Sequence, residues 1–111
     1  MSLPTIDPRT FEALQANAGA DFVLTLIEAF AEEAPGLLAA LGEAAARGDA
    51  GAFEDAAHTL KSNGVTFGAT RLAEMARRLE WQGPGWECGS AEALAAEVAA
   101  TVQALRALDR Y

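Results

Sequence analysis

Residues 21–47 read DFVLTLIEAFAEEAPGLLAALGEAAAR, and this stretch decides the fold class. Its large apolar residues recur at the three- and four-residue spacing of one helix face: Phe22, Leu26, Ile27, Phe30, Leu37, Leu38 and Leu41. Pro35 interrupts the stretch, but the apolar pattern resumes directly after it, so we predict one kinked helix and not two. Gly48 is expected to end this helix and Asp49 to cap the next one.

The rest of the chain has the same helical character. Ala, Leu, Glu and Arg are strong helix formers, and no Val/Ile/Thr-rich run alternates apolar with polar residues as a strand does. We expect a short helix from Asp7 and Pro8 to residues 17–19, then helices over about 50–66 (ended by Gly68), 69–82 and 90–108 (capped by Ser90). The predicted fold is all-α: an antiparallel four-helix bundle with a short additional N-terminal helix, and Trp81 and Trp86 capping its open end.

Length and composition narrow the range of functions. The 111 residues fit a single domain over 1–111, with residues 1–6 as a flexible N-terminal segment. A net charge of −8 disfavours nucleic acid and anionic membrane surfaces as partners, because both select for clustered Lys and Arg. One cysteine, no signal-peptide pattern and no apolar run long enough to span a bilayer favour a cytoplasmic location. We therefore expect a cytoplasmic monomer with no membrane or nucleic-acid partner.

His58 is the only histidine, and helical phase places it away from the core. At about 100° per residue, four apolar residues of its helix fall on the opposite side: Phe53, Ala56, Leu60 and Phe67. Lys61 lies one turn on and on the same face, and the neighbouring Ser62 is small. Gly64 costs about 1 kcal/mol relative to alanine in a helix, which indicates either close helix packing or access for a partner. An exposed imidazole beside a fixed cation suits reversible attack on a phosphoryl group.

The distribution of charge supports the same site. Residues 1–60 hold 2 basic and 10 acidic side chains, residues 61–80 hold 4 and 2, and residues 81–111 hold 2 and 4, so only the middle segment is net positive. That segment begins at Lys61 and includes Arg71, Arg77 and Arg78. The arginines also fit a solvated face of the fourth helix, and Lys61 is the cation that we assign to the site.

Residues 57–68, AHTLKSNGVTFG, resemble the signature of histidine-containing phosphotransfer (HPt) domains. That signature reads roughly His-x-Leu-Lys-Gly-small-small, followed by an apolar residue and a glycine near +9 and +10, and the similarity extends over about residues 7–82. The resemblance implies a bacterial two-component phosphorelay, in which His58 accepts a phosphoryl group from a receiver-domain aspartate and passes it to another receiver. It implies that Lys61 assists, and that response-regulator receivers and a hybrid histidine kinase are the partners. It also implies no kinase or phosphatase activity, with Mg²⁺ on the receiver alone and no cofactor in this chain.

The resemblance assigns supporting roles to other residues. Gly64 and Gly68 match small or glycine positions of the signature, whereas Ser62 stands where glycine is commonest and Asn63 where Ser or Ala is usual. Glu80 occupies a place where the family often has a polar residue that hydrogen-bonds the second imidazole nitrogen. The family's apolar docking patch corresponds here to Ile6, Phe11 and Leu14, although a core role fits Phe11 and Leu14 at least as well.

Other classes of function fit the sequence less well. A helical interaction or scaffold bundle that binds receiver or kinase domains without transferring phosphate is the main alternative, although the presence of both His58 and Lys61 argues against it. A metal site lacks ligands, because one histidine and the distant Cys88 do not supply a His/carboxylate set. A hydrolase lacks a serine or cysteine nucleophile on a strained turn.

Overall fold

The computed structural model describes residues 5–85 and 90–109. Within these ranges the chain forms five α-helices and no strand, which confirms the all-α class. They are α1 (Pro8–Ala18), α2 (Ala20–Arg47), α3 (Ala50–Phe67), α4 (Thr70–Gln82) and α5 (Ser90–Asp109). The role expected for Trp86 lies outside the described residues. No helix within the described ranges combines the length and the apolar character that a bilayer crossing requires.

The helix ends follow the capping residues that the sequence contains. The Asp7 carboxylate accepts the backbone N–H of Arg9 at 3.0 Å with Pro8 in the first turn, and the Asp49 carboxylate accepts that of Ala52 at 3.1 Å. α2 and α3 both end on glycines in the left-handed conformation, Gly48 and Gly68. Ser90, expected as a cap, is instead the first residue of α5.

α2 continues through Pro35 as one helix, as predicted, and most of the expected stripe faces the core, but the stripe begins at Val23 and not at Phe22. Phe22 is 55% exposed, whereas its neighbour Val23 is fully buried. The buried residues follow Val23 at helical spacing and are Ile27, Phe30, Ala34, Leu41 and Ala44. Phe22 was therefore wrongly placed in the core, since it lies about 100° around the helix from Val23.

The four longer helices contact one another in a closed ring. α3 packs against α2 and α4, and α5 packs against the same two helices. The side chains that fill the space between them have almost no solvent exposure; the largest are Phe53, Ile27, Leu41, Leu60, Leu72, Leu94 and Leu105. α3 therefore has a buried face fixed by two neighbours and an outer face that remains available.

α1 lies across α2 and α3 and is fixed at its N-terminal end. The backbone N–H of Asp7 donates to the Gly68 carbonyl at 2.7 Å, and Ile6 and Phe11 are buried in the core, at 7% and 3% exposure. Ile6 and Phe11 therefore do not form an exposed docking patch, and the core alternative is confirmed for Phe11. Ile6 lies within the segment 1–6 that was expected to be flexible, and its side chain is part of this buried cluster.

Trp81 does not cap the bundle. Its side chain is 85% exposed in the last turn of α4. The core face of α4 is formed by Leu72, Ala76 and Leu79, and Trp81 lies about 180° around the helix from Leu72.

Candidate functional site

His58 lies near the middle of α3 on the outer face of the helix. Its side chain is 62% exposed, while Phe53, Ala57 and Leu60 of the same helix are fully buried. The phase prediction from the sequence is therefore confirmed. The imidazole is held on a rigid element and is open to a partner, which is the arrangement that a phosphoacceptor requires.

Glu80 of α4 connects His58 and Lys61. Its Oε2 atom lies 3.4 Å from His58 Nδ1 and 3.0 Å from Lys61 Nζ, and Lys61 also donates to Oε1 at 3.2 Å. The three side chains thus form one cluster across the α3–α4 interface, with the imidazole and the ammonium on α3 and the carboxylate on α4. The sequence assigned Glu80 to His58, but it did not indicate the ion pair with Lys61.

This cluster determines which imidazole nitrogen is available. The hydrogen bond from Lys61 is the main cause that lowers the pKa of Glu80; burial opposes it, and a weaker hydrogen bond with His58 lowers the pKa further. An ionised carboxylate only accepts hydrogen bonds, so the long contact at 3.4 Å favours the tautomer in which Nδ1 carries the proton. The lone pair then lies on Nε2, which makes this the nitrogen that is able to act as a nucleophile.

Gly64 permits the close approach that places Glu80 beside His58. A Cβ atom at this position would lie 3.0 Å from the backbone nitrogen of Ala73 and 3.1 Å from its Cα. These distances are shorter than ordinary van der Waals contacts, so any side chain here would push α4 away from α3. Of the two interpretations of Gly64 in the sequence, close packing is confirmed.

The other residues of the motif occupy three different environments. Ser62 is exposed on the His58 side of α3, and its carbonyl accepts the Thr66 hydroxyl at 2.9 Å. Asn63 is half-buried, and among the described atoms its buried Nδ2 has no hydrogen-bond partner. Gly68 ends α3 about 15 Å along the helix from His58, where a Cβ would lie 2.7 Å from Cβ of Thr10. Gly68 therefore lies at the junction with α1, away from His58.

The arginines of α4 are paired within the fold. Arg77 and Arg78 both contact Glu74 on their own helix, and Arg71 contacts Glu97 of α5 at 2.9 Å. This supports the interpretation of a solvated, self-paired face. Lys61 is the cation that contacts the His58 cluster in the described part of the chain.

Two grooves flank the cluster along the α3–α4 interface. One of about 430 Å³ lies towards the end of α3 and is lined by Lys61, Gly64, Val65 and Arg77, among others. The other, of about 350 Å³, is lined by Glu54, Arg77, Glu80 and Trp81. Sequence reasoning missed the exposure of Trp81, although its phase opposite Leu72 was a signal that was available. No three His, Cys, Asp or Glu side chains of the described residues are grouped to hold a metal ion.

Comparison with known proteins gives one match. The family model described as Hpt domain matches residues 25–110, which include most of α2, all of α3 to α5 and the three residues of the cluster. Searches of curated proteins and of solved structures returned no match.

Proposed function

The chain belongs to the Hpt domain family, and we propose on this premise that His58 carries a phosphoryl group between two receiver domains. The observation that carries the proposal is the exposed imidazole, whose Nδ1 contacts Glu80 and whose Nε2 is left as the nucleophile. Hpt domains are phosphotransfer carriers in phosphorelays, so the family and the geometry support the same activity.

The proposed transfer step is a displacement at phosphorus. The lone pair on His58 Nε2 forms the N–P bond while the P–O bond to the receiver's aspartate breaks, and the aspartate leaves as a carboxylate. The proton on Nδ1 stays where it is, so the phosphorylated ring is cationic. Glu80, 3.4 Å from Nδ1, stabilises that positive charge. The reverse step delivers the phosphoryl group to the aspartate of the second receiver.

Lys61 stabilises the phosphoryl oxygens during transfer. In the resting cluster its ammonium bonds to Glu80 at 3.0 Å, but an ammonium has three N–H donors. Lys61 therefore turns one donor towards the phosphoryl group while it retains a bond to Glu80. A charge-assisted contact of this kind lowers the barrier, because negative charge is spread over the equatorial oxygens in the transition state.

The remaining parts of the reaction belong to the partners. A receiver domain supplies the aspartate and the Mg²⁺, and a hybrid histidine kinase charges the first receiver. The chain itself acts in the cytoplasm as a monomeric carrier without kinase or phosphatase activity. The closed ring of contacts among α2, α3, α4 and α5 supports the antiparallel four-helix arrangement of the family.

The test is phosphotransfer from a charged receiver domain, with wild type compared with His58→Gln. We expect wild type to gain a phosphate that is labile in acid and stable in alkali, as a phosphohistidine is, and the variant to gain none. Gln103→Ala on α5, the helix across the ring from α3, is the control and should behave as wild type. Equal labelling of wild type and His58→Gln would refute the proposal, and receiver binding without any labelling would favour the scaffold alternative.

A further inference from the structure

Trp81 is the most exposed of the large apolar side chains in the described part of the chain, at 85%. It lies in the last turn of α4, on the face opposite Leu72, so its side chain contributes no buried apolar area to the core. A water-exposed indole forgoes the large favourable free energy of burying an aromatic ring. Tryptophan is also enriched among the few residues that dominate the binding free energy of protein interfaces. The fold therefore does not explain Trp81, whereas an interface would.

Trp81 lies directly beside the phosphoacceptor cluster. The preceding residue, Glu80, contacts both His58 and Lys61. Trp81 and Glu80 also line the groove of about 350 Å³ together with Glu54 and Arg77. Glu54 lies one helical turn before His58, so this groove adjoins the His58 face of α3. The exposed indole and the phosphoacceptor thus share one continuous surface.

We propose that Trp81 is a docking residue for the receiver domain, an inference that rests on the proposed function. A receiver that brings its aspartyl phosphate to Nε2 of His58 covers the surface around that atom. A standard interface buries about 800 Å² on each partner, which corresponds to a disc of roughly 16 Å radius. Trp81 follows Glu80 in the chain and falls inside this area. The receiver then covers the groove and packs an apolar depression on the indole.

The charges around Trp81 indicate that apolar contact, and not electrostatic attraction, is what this groove contributes to docking. Glu54 and Glu80 are acidic, and the one cation of the groove, Arg77, is already paired with Glu74. The surface therefore has no net positive charge with which to attract an anionic partner such as a nucleic acid. Burial of the indole is the main favourable contribution that this groove offers.

A spectroscopic experiment tests the contact itself. The chain has two tryptophans, so Trp86→Phe labelled with 5-fluorotryptophan gives a single fluorine signal from Trp81. The probe is the receiver domain that charges wild type fastest, chosen among acetyl-phosphate-charged receivers of the source organism. We expect the signal to shift and to saturate as the uncharged receiver is added. An unchanged signal at a receiver concentration that supports transfer would overturn the proposal.

A kinetic experiment separates docking from chemistry. Phosphoramidate, a small donor, phosphorylates Nε2 as its own P–N bond breaks and ammonia leaves, and this reaction needs no docking. We expect Trp81→Ala to lose about tenfold or more in kcat/KM for transfer from the receiver, as an interface anchor does, and to react with phosphoramidate at the wild-type rate. Trp81→Phe should recover part of the loss, and Gln103→Ala on α5 should lose nothing. An equal loss with both donors would overturn the docking role.

The remaining outcomes distinguish this inference from the proposed function. If neither phosphoramidate nor any of the charged receivers labels wild type, but the fluorine signal still shifts when one of the uncharged receivers is added, the carrier function fails and the docking surface stands. If the Trp81 signal shifts as the chain alone is concentrated, and Trp81→Ala abolishes self-association measured by sedimentation velocity, the occupant is a second copy of this chain. That result would overturn the receiver proposal.

Discussion

At the scale of single residues, the site depends on how Glu80 divides its carboxylate. One oxygen, Oε2, lies within 3.4 Å of His58 Nδ1 and within 3.0 Å of Lys61 Nζ. The same group therefore contacts both the imidazole that we propose as the nucleophile and the ammonium that we propose to assist it. Loss of the contact with His58 should change the imidazole tautomer, whereas loss of the Lys61 ammonium should change the rate of phosphotransfer. Substitutions can therefore separate the two effects.

Lys61→Ala should slow phosphotransfer from a charged receiver roughly 10- to 100-fold, because the transition state loses one charge-assisted contact to the phosphoryl oxygens. Lys61→Arg keeps the positive charge and should retain more activity than the alanine variant, although its planar fork fits a different geometry. Single-turnover rates measured by rapid quench provide the check. Transfer by Lys61→Ala at the wild-type rate would remove Lys61 from the mechanism.

Glu80→Ala should change the tautomer of neutral His58. Wild type is expected to carry the proton on Nδ1, because the Glu80 carboxylate accepts from that atom. The alanine variant loses this preference and should shift towards the Nε2-protonated form, whereas Glu80→Gln keeps a carbonyl acceptor and should stay closer to wild type. Imidazole ¹⁵N chemical shifts at alkaline pH report the tautomer. Identical shifts in wild type and Glu80→Ala would contradict the role given to Glu80.

At the scale of helices, the interface of α3 with α4 determines whether the cluster forms. Gly64 on α3 faces the Ala73 backbone on α4, and the contacts of His58 and Lys61 with Glu80 lie further along the same interface. A change in the separation of these two helices should therefore alter both the free energy of unfolding and the contacts of Glu80 with His58 and Lys61.

Gly64→Ala should destabilise the protein by up to about 2 kcal/mol. The overpacking cost of about 1–3 kcal/mol exceeds the gain of about 1 kcal/mol in helix propensity, because the new Cβ would lie 3.0 Å from the Ala73 nitrogen. Gly42→Ala is the matched control on α2: its Cβ would meet nothing within 4 Å, so it should stabilise by about 1 kcal/mol. Urea unfolding measures both. Equal stabilisation by the two substitutions would contradict the close packing of α3 on α4.

A second helix-scale prediction concerns the ion pairs of α4. The hydrogen bond from Arg77 is the main cause that lowers the pKa of Glu74 to about 2 in the folded chain. Its ordinary value is 4.5, so the stabilisation from this carboxylate is fully present above about pH 4.5 and is lost as the pH falls towards 2. The difference in unfolding free energy between wild type and Glu74→Gln should follow this course. Solvent exposure of the pair keeps the effect small.

Arg77→Gln provides the companion measurement, because it removes the main cause of the shift. It should suppress most of the pH dependence that separates wild type from Glu74→Gln. If the difference in unfolding free energy between wild type and Glu74→Gln is constant from pH 7 to pH 2, Glu74 has an ordinary pKa in the fold and the prediction is wrong.

Sequence reasoning succeeded where one helix was sufficient to decide the matter. The exposure of His58 follows from the phase of its own helix, and local patterns of three to five residues predict the caps at Asp7 and Asp49 and the left-handed ends at Gly48 and Gly68. It failed at Phe22, where several phases of an apolar helix fit the same residues and only the neighbouring helices select one.

The same limit applies to contacts between helices. The ion pair of Lys61 with Glu80 joins residues 19 positions apart, and it depends on the register of α3 against α4, which no single-helix pattern contains. The burial of Ile6 depends on the packing of α1 across α2 and α3, which its own short segment does not reveal.

At the scale of the whole molecule, the overall negative charge and the cation at the site lie in different parts of the chain. The net charge of −8 is concentrated in residues 1–60, and in the described part of the chain the arginines of α4 are paired with Glu74 and Glu97, which disfavours a polyanion as partner. The local cation at the site is Lys61. One lysine is suited to a single phosphoryl group delivered by a partner, which is the role that the family membership supports.

The most direct measurement locates the phosphoryl group on the charged protein. Wild type charged by a receiver domain and kept at neutral to alkaline pH is examined by tandem mass spectrometry for the residue and by ³¹P NMR for the nitrogen. The account predicts one phosphoryl group per chain, on Nε2 of His58, and none on His58→Gln. A phosphoryl group on Nδ1, on Ser62 or on any other residue, or no phosphoryl group on the wild-type chain, would contradict it.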